Sequence, residues 1–199
     1  VQFVTSITLI TGSIIIYKQI RLISNKNLGF NKENVVAISR NDNLVKNYAA
    51  FKNDLLQIPS LINIGFGGSN IFTVPIETTD PVWQGKPANS SIDFKVFRCD
   101  EGFIPTMNIQ LLAGRNFSGV NNQDSSNYII NKKAMEIMGL TPANVIGADL
   151  EMWNERGKIV GLTNDFNNDN LRHGIEPLIF LYSKNIGSNY FVRIGGATA

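Results

Sequence analysis

Few side chains in this sequence could carry out chemistry. His173 is the only histidine, and a nucleophilic relay of the Ser-His-Asp kind needs one to move the proton. It lies in Asn170-Leu171-Arg172-His173-Gly174, a polar stretch with helix-end chemistry that fits a surface or capping histidine. Cys99 is the only cysteine, so neither a disulfide framework nor a zinc site of the usual four N/S ligands can be assembled from one chain. Gly65-Phe66-Gly67-Gly68 follows an apolar run, as a phosphate cradle would. It lacks the third spaced glycine of a dinucleotide loop and the Gly-Lys-Ser/Thr of a P-loop, and therefore reads as a turn. Asn121-Asn122-Gln123-Asp124 and Asn164-Asp165-Phe166-Asn167-Asn168-Asp169 gather oxygen donors. The second run has neither the glycine nor the closing Glu of an EF-hand, so a solvated Asx turn is the better reading. Asp93, Asp100 and Glu101 read as neighbouring surface acids rather than an acid–base pair. No catalytic, cofactor-binding or metal-binding residue follows from these patterns, and they assign no ligand- or partner-binding residue. So few reactive groups fit a binding or mechanical module better than an enzyme.

The elements that hold these residues come from a chain of 199 residues, 43% hydrophobic, enough for one large or two small domains. A formal net charge of +2 with no dense basic run leaves no electrostatic footprint for nucleic acid. The N-terminus is the most informative stretch. No charge occurs before Lys18, and Val, Ile, Leu and Phe alternate with small Ser, Thr and Gly residues up to Ile16. Three readings compete: a buried core helix, a degraded signal sequence, and the carboxy-terminal portion of a membrane-spanning helix. A spanning helix needs about 20 apolar residues. Small hydroxyl residues let membrane helices pack closely, and Tyr17, Lys18 and Arg21 suit an interfacial exit. The third reading therefore fits best, with the chain leaving the membrane near residue 20.

Beyond the exit, residues 19–26 continue as a helical stalk, and Asn27-Leu28-Gly29-Phe30-Asn31 supplies a glycine-centred stop. Val35-Val36-Ala37-Ile38 reads as a buried strand, residues 44–58 carry helical apolar spacing up to Pro59, and residues 61–66 read as a second strand. A helix of that length crosses back over a sheet, so the two strands should run parallel. Residues 67–91 form a long irregular connection around Trp83, with a short hairpin in it. Residues 92–97 alternate as a half-exposed strand with Asp93 and Lys95 outward. A short bent helix is expected over 103–112, a strand at 128–130 and a short helix over 132–138. Further strands are expected at 150–153, 158–162, 178–182 and 190–194. A βαβ unit followed by mixed short elements argues an α+β chain with two parts.

Several segments, in this order, resemble the periplasmic core domain of MacB/FtsX-type ABC-transporter permeases, in the form common in Bacteroidetes-type bacteria. Ile16-Tyr17-Lys18-Gln19-Ile20 followed by Asn27-Leu28-Gly29-Phe30-Asn31-Lys32-Glu33-Asn34-Val35-Val36 is similar to the family's helix exit and its LGF-(N/D)-K-(E/D)-x-V run. Residues 108–118 resemble its G-x-x-L-x-x-G-R-x-F segment, with Asn108 where glycine is usual. Ile130-Asn131, Ala134, Met138-Gly139-Leu140 and Ile146-Gly147 form a third block. Ile159-Val160-Gly161-Leu162-Thr163-Asn164-Asp165-Phe166 with Leu171, Ile175 and Pro177, then Phe191-Val192-Arg193-Ile194, complete the series. Thr163-Asn164 replaces the commoner Val-Lys, and Asn170 a small residue.

The resemblance implies an α+β architecture. The end of a transmembrane helix and its stalk (residues 1–24) would lead into a porter-like βαβ subdomain (25–75 and 185–199), its second half cut short. A mixed α/β insert (76–184) would lie between. It implies a domain facing the periplasm from a bacterial inner membrane. Motion driven by a cytoplasmic ABC ATPase subunit would be passed outward for export, lipoprotein release or partner activation. A second permease copy and a periplasmic adaptor or substrate are the further partners; no cofactor and no nucleic acid are implied. The alternative is a ligand-sensing domain in which the loop at 74–87, with an exposed Trp83, takes a peptide, sugar or drug.

Overall fold

The computed structural model describes residues 2–24, 33–41, 46–68, 74, 76–120, 123–166, 174–184 and 187–195. The glycine-centred stop at 27–31, Asn121, Asn122, the run 167–170, Leu171 and His173 lie outside them. The chain opens with α1 (Gln2–Ser24), 23 residues of uninterrupted helix that would be about 34 Å long at 1.5 Å per residue. Next come β1 (Val35–Ser39), α2 (Tyr48–Leu56) and β2 (Leu61–Gly67). The later elements are β3 (Ile76–Thr78), β4 (Val82–Trp83), β5 (Phe94–Cys99), α3 (Phe103–Thr106), β6 (Leu111–Gly114), β7 (Tyr128–Asn131), α4 (Lys132–Ile137), β8 (Asp149–Met152), β9 (Glu155–Thr163), β10 (Leu178–Tyr182) and β11 (Asn189–Ile194). The α+β class expected from the sequence is the one found.

One mixed sheet runs β1-β11-β2-β5-β10-β7-β9-β8-β4, with β3 added on β5 and β6 on β9. β1 and β2 are parallel to each other, as a βαβ unit requires, but they do not touch. β11 returns from the far end of the chain and pairs antiparallel with both. Two apolar layers pack on the sheet. One gathers Phe97, Phe103, Phe166, Phe180 and Phe191; the other gathers Trp83, Phe94, Tyr128, Ile130, Leu150 and Ile179. Strands β7 and β10 are buried at every position, the signature of strands covered on both faces.

Five expectations about the elements need correction. β1 is not buried: Val36 is 46% exposed, because β1 is an edge of the described sheet. β5 is not half exposed. It sits between β2, β3 and β10, and Lys95 is buried against Glu77 and, at 3.3 Å, Glu176. Among the described residues after 67 no hairpin forms, since β3 pairs with β5 and β4 with β8. Gly65 and Gly67 are not a turn but the end of β2. A Cβ at position 65 would lie 2.5 Å from the Phe103 backbone, so glycine there lets α3 lie directly on the strand. The helix expected over 103–112 is only one turn long, and Asn108 (φ 52) follows it. Asparagine tolerates that left-handed conformation, so its replacement of the family's glycine is a backbone-compatible one.

α4 starts where it does because Asn131 caps it. The Asn131 carboxamide oxygen accepts from Ala134 N and from Leu178 N, both at 2.9 Å, and its nitrogen donates to Glu176 O at 2.9 Å. One fully buried amide thus closes a helix N-terminus and ties it to β10.

Candidate functional site

Two features stand out as places where the molecule could act: the bare helix α1, and a polar junction between α2 and the ends of β2 and β5. Within α1, the span Gln2–Arg21 is long and apolar enough to cross a membrane, and none of it is buried. Ile7, Ile10, Ile14 and Ile20 are each at least 50% exposed, an apolar surface that water would not tolerate. Its hydroxyls turn inward on the helix itself. Thr8 Oγ1 donates to Val4 O at 2.8 Å and Ser6 Oγ to Gln2 O at 3.0 Å, which satisfies them without solvent.

The junction is built from Tyr48 and Lys52, one turn apart on α2, facing Asp100 and Glu101 just past β5. Tyr48 Oη donates to Asp100 Oδ2 at 2.8 Å. The other oxygen of Asp100 accepts from Phe66 N at 2.8 Å and Gly102 N at 3.0 Å. Lys52 Nζ meets Glu101 Oε1 at 3.0 Å, and Tyr182 Oη donates to Glu101 Oε2 at 3.2 Å. Aromatic contacts finish the seam. Tyr48 stacks on Tyr190 at 4.9 Å, and Phe51 meets Tyr190 edge-on at 5.9 Å.

Burial pushes the Asp100 carboxyl above the usual carboxylate range, even though the Phe66 amide and the Tyr48 hydroxyl pull it down. Burial, with Asp100 beside it, pushes the Tyr48 phenol far up, so Tyr48 stays a hydrogen-bond donor. At Glu101 burial also pushes upward, but the bond from Lys52 outweighs it and the carboxyl ends below its usual value. The arrangement is a directional clasp that holds α2 to the sheet. Sequence reasoning placed Asp100 and Glu101 on the surface; Asp100 is fully buried. The available signal was position: an Asp two residues before Gly102, at the start of a helical turn, is a typical capping arrangement.

The other singled-out groups fall elsewhere. Asp124 is buried and committed to Arg115, whose guanidinium donates twice, at 2.8 and 2.9 Å, while Ser118 N and Asn127 Nδ2 fill the remaining lone pairs. That carboxylate is a structural knot rather than a calcium ligand. Arg115 holds it well below the usual carboxylate range. Among the described residues no group of three or more His, Cys, Asp or Glu is placed to hold a metal. The Cys99 thiol is buried and pushed up by that burial. Trp83, expected exposed, is 7% exposed and meets Phe94 edge-on at 5.6 Å. Beside it opens a cleft of about 510 Å³, lined among others by Gln84, Met138, Leu140, Asn144 and Asp149.

No family model matches the sequence, and no curated protein matches it. Solved structures do match. The periplasmic region of MacB from Actinobacillus actinomycetemcomitans aligns with a TM-score of 0.55 at 11% identity, covering 88% of this chain and 81% of that one. The extracellular domain of the noncanonic ABC-type transporter YknZ from Gram-positive bacteria aligns more loosely, with a TM-score of 0.48 at 14% identity, covering 81% and 85%. The first likeness establishes the fold: an apolar N-terminal helix followed by the mixed α+β sheet of a MacB-type periplasmic domain.

Proposed function

We propose that this chain is the extracytoplasmic part of an ABC-transporter permease and is not an enzyme. It would be anchored by α1 in a bacterial inner membrane, face the periplasm, and pass outward the motion driven by a cytoplasmic ATPase subunit. The observation that carries this reading is the pairing of a MacB-type fold with an unburied, apolar 20-residue span directly ahead of it. A helix that enters a domain can move it as a rigid body with no chemistry in the domain itself. The clasp of Tyr48 and Lys52 on Asp100 and Glu101 gives such motion a route. It joins α2, in the half nearest α1 in sequence, to β5 in the insert.

The division into a porter-like part (25–75 with 185–199) and an insert (76–184) is part of this proposal. β1–α2–β2 and β11 pack as one sheet segment, which supports it. The outer rim of β1 is an edge of the described sheet. Arg40 N bonds Ser188 O and Ile194 N bonds Asn34 O, each at 2.8 Å. The alternation of an antiparallel pair therefore turns the backbone groups of Val35, Ala37 and Ser39 away from β11. Slow amide exchange of Val35, Ala37 and Ser39 in a demonstrated monomer would count against an open edge there.

The test of the main reading uses the full-length protein in cells. A single cysteine at exposed Asp54, in a background where buried Cys99 is serine, is expected to react with a membrane-impermeant maleimide from the periplasmic side. The protein should stay with the membrane after alkaline carbonate extraction. Release into the carbonate supernatant, or labelling only after lysis, defeats the proposal. A second reading, a ligand-sensing domain, now rests on the cleft beside Trp83 rather than on an exposed indole. A reproducible melting shift with one class of small molecule, lost in Asn144→Ala, would favour it.

A further inference from the structure

The hairpin joining β8 to β9 turns in two residues, because Met152 pairs directly with Glu155. Both turn residues are left-handed, Trp153 at φ 55 and Asn154 at φ 63. Such a turn ordinarily takes Asn-Gly, and a bulky aromatic residue at positive φ is strained. Burial does not offset it, since Trp153 is 38% exposed. The indole is nonetheless held firmly in place. Its backbone N–H donates to the Asp80 carboxylate, and the Arg98 guanidinium lies over its ring at 5.2 Å. Arg98 is paired with no carboxylate among the described residues, so its hydrogen-bonding rim is free while its face stacks. Ile76, 38% exposed, stands opposite Val96, two residues along β5 from Arg98 and on the same face of the sheet.

We propose that Trp153, Arg98 and Ile76 form a docking surface for a protein segment that presents a carboxylate beside an apolar side chain. The carboxylate pairs with the open rim of Arg98, and the apolar group lies on the indole and Ile76. Trp and Arg are the side chains most enriched where interfaces concentrate their energy, and the missing acid at Arg98 sets the charge of the partner. A merely structural tryptophan would sit in a favourable conformation or be buried, and this one does neither. The inference needs only the fold and stands whether or not α1 spans a membrane.

The experiment places the photoreactive residue p-benzoylphenylalanine at position 153 in the full-length protein in its native cells. Lys132, half exposed on α4, is the control position. The expected result is one protein adduct absent from the control, mapped by mass spectrometry to a segment containing Asp or Glu. It should be lost in Arg98→Glu and regained when the mapped acid is changed to Lys. No adduct beyond the control, a glycan adduct, or an adduct indifferent to Arg98→Glu overturns the proposal. A second readout separates docking from stability. Trp153→Asn relieves the turn, so the full-length protein should melt at the same temperature or higher while partner cross-linking from a probe at Ile76 is lost. A clear fall in melting temperature would instead make Trp153 a structural residue and sink the idea.

Discussion

The middle of the sheet and its β1 edge are stabilised in different ways. In the middle, β7 and β10 are buried at every position and packed on both faces by aromatic and branched side chains. At the edge, β1 is exposed at three of its five positions, and Leu56 at the end of α2 and Ile58 just after it are each 44% exposed. There, α2 is held by a tyrosine–carboxylate bond, one ion pair and stacked rings. Apolar packing is non-directional and costly to open, whereas a few polar contacts can exchange for water with small net change. The middle of the sheet around β7 and β10 is thus built to stay whole, and the α2 side is built with contacts that can shift.

The sharpest way to break this contrast is by core truncation. Phe180→Ala should cost about 3–5 kcal/mol, whereas Val36→Ala on the edge strand should stay within about 0.5 kcal/mol; chemical denaturation measures both. Equal losses would mean that β1 is as tightly packed as β10. Next in size is Asp124→Ala, which leaves Ser118 N and Asn127 without their acceptor and should cost about 2–3 kcal/mol. Tyr48→Phe removes one donor from a buried carboxylate at about 1–1.5 kcal/mol. It should raise amide exchange in α2 while leaving β7 and β10 unchanged. Lys52→Met, whose pair is partly exposed on both sides, should cost no more than about 0.5 kcal/mol.

The two buried carboxylates, Asp100 under α2 and Asp124 beside Arg115, also carry opposite pH signatures. The Asp124 carboxyl is lowered in the folded state. Its stabilisation is full above the ordinary carboxylate range and is lost as pH falls through that range toward its folded value. Asp100 is raised, so its contribution is full below the ordinary aspartate value and is lost as pH climbs through its folded value. Denaturation midpoints between pH 3 and 7 should therefore flatten in opposite directions for Asp124→Asn and Asp100→Asn. A common direction would show that the two sites do not differ as described.

Much of the element order was legible because apolar spacing reports it directly. The 3.6 spacing before Pro59 marked α2, and the apolar runs at 128–130 and 178–182 marked β7 and β10. What was misread shares one cause. Whether Lys95, Asp100 or Trp83 faces water depends on which distant strand lies beside it, and local pattern carries no information about that. Lys95 looks like an outward residue in an alternating strand until β3 and the Glu176 segment cover it. Gly65 looks like a turn until α3 lies on it. The Trp153-Asn154 turn was missed because Trp153 is not a residue that ordinarily opens such a turn, although Asn154 suits it.

The sequence by itself determined that α1 is a long apolar helix, that a strand, a helix and a second strand follow it, and that a short helix follows β7. These follow from composition and period. Only the tertiary structure decided that β11 enters between β1 and β2. Such pairing joins residues more than a hundred positions apart, and backbone hydrogen bonds are blind to side-chain identity. The clasp was decided there too. A carboxylate next to a tyrosine is ordinary surface chemistry until the end of β5 and the first turn of α2 are brought within 2.8 Å and water is excluded.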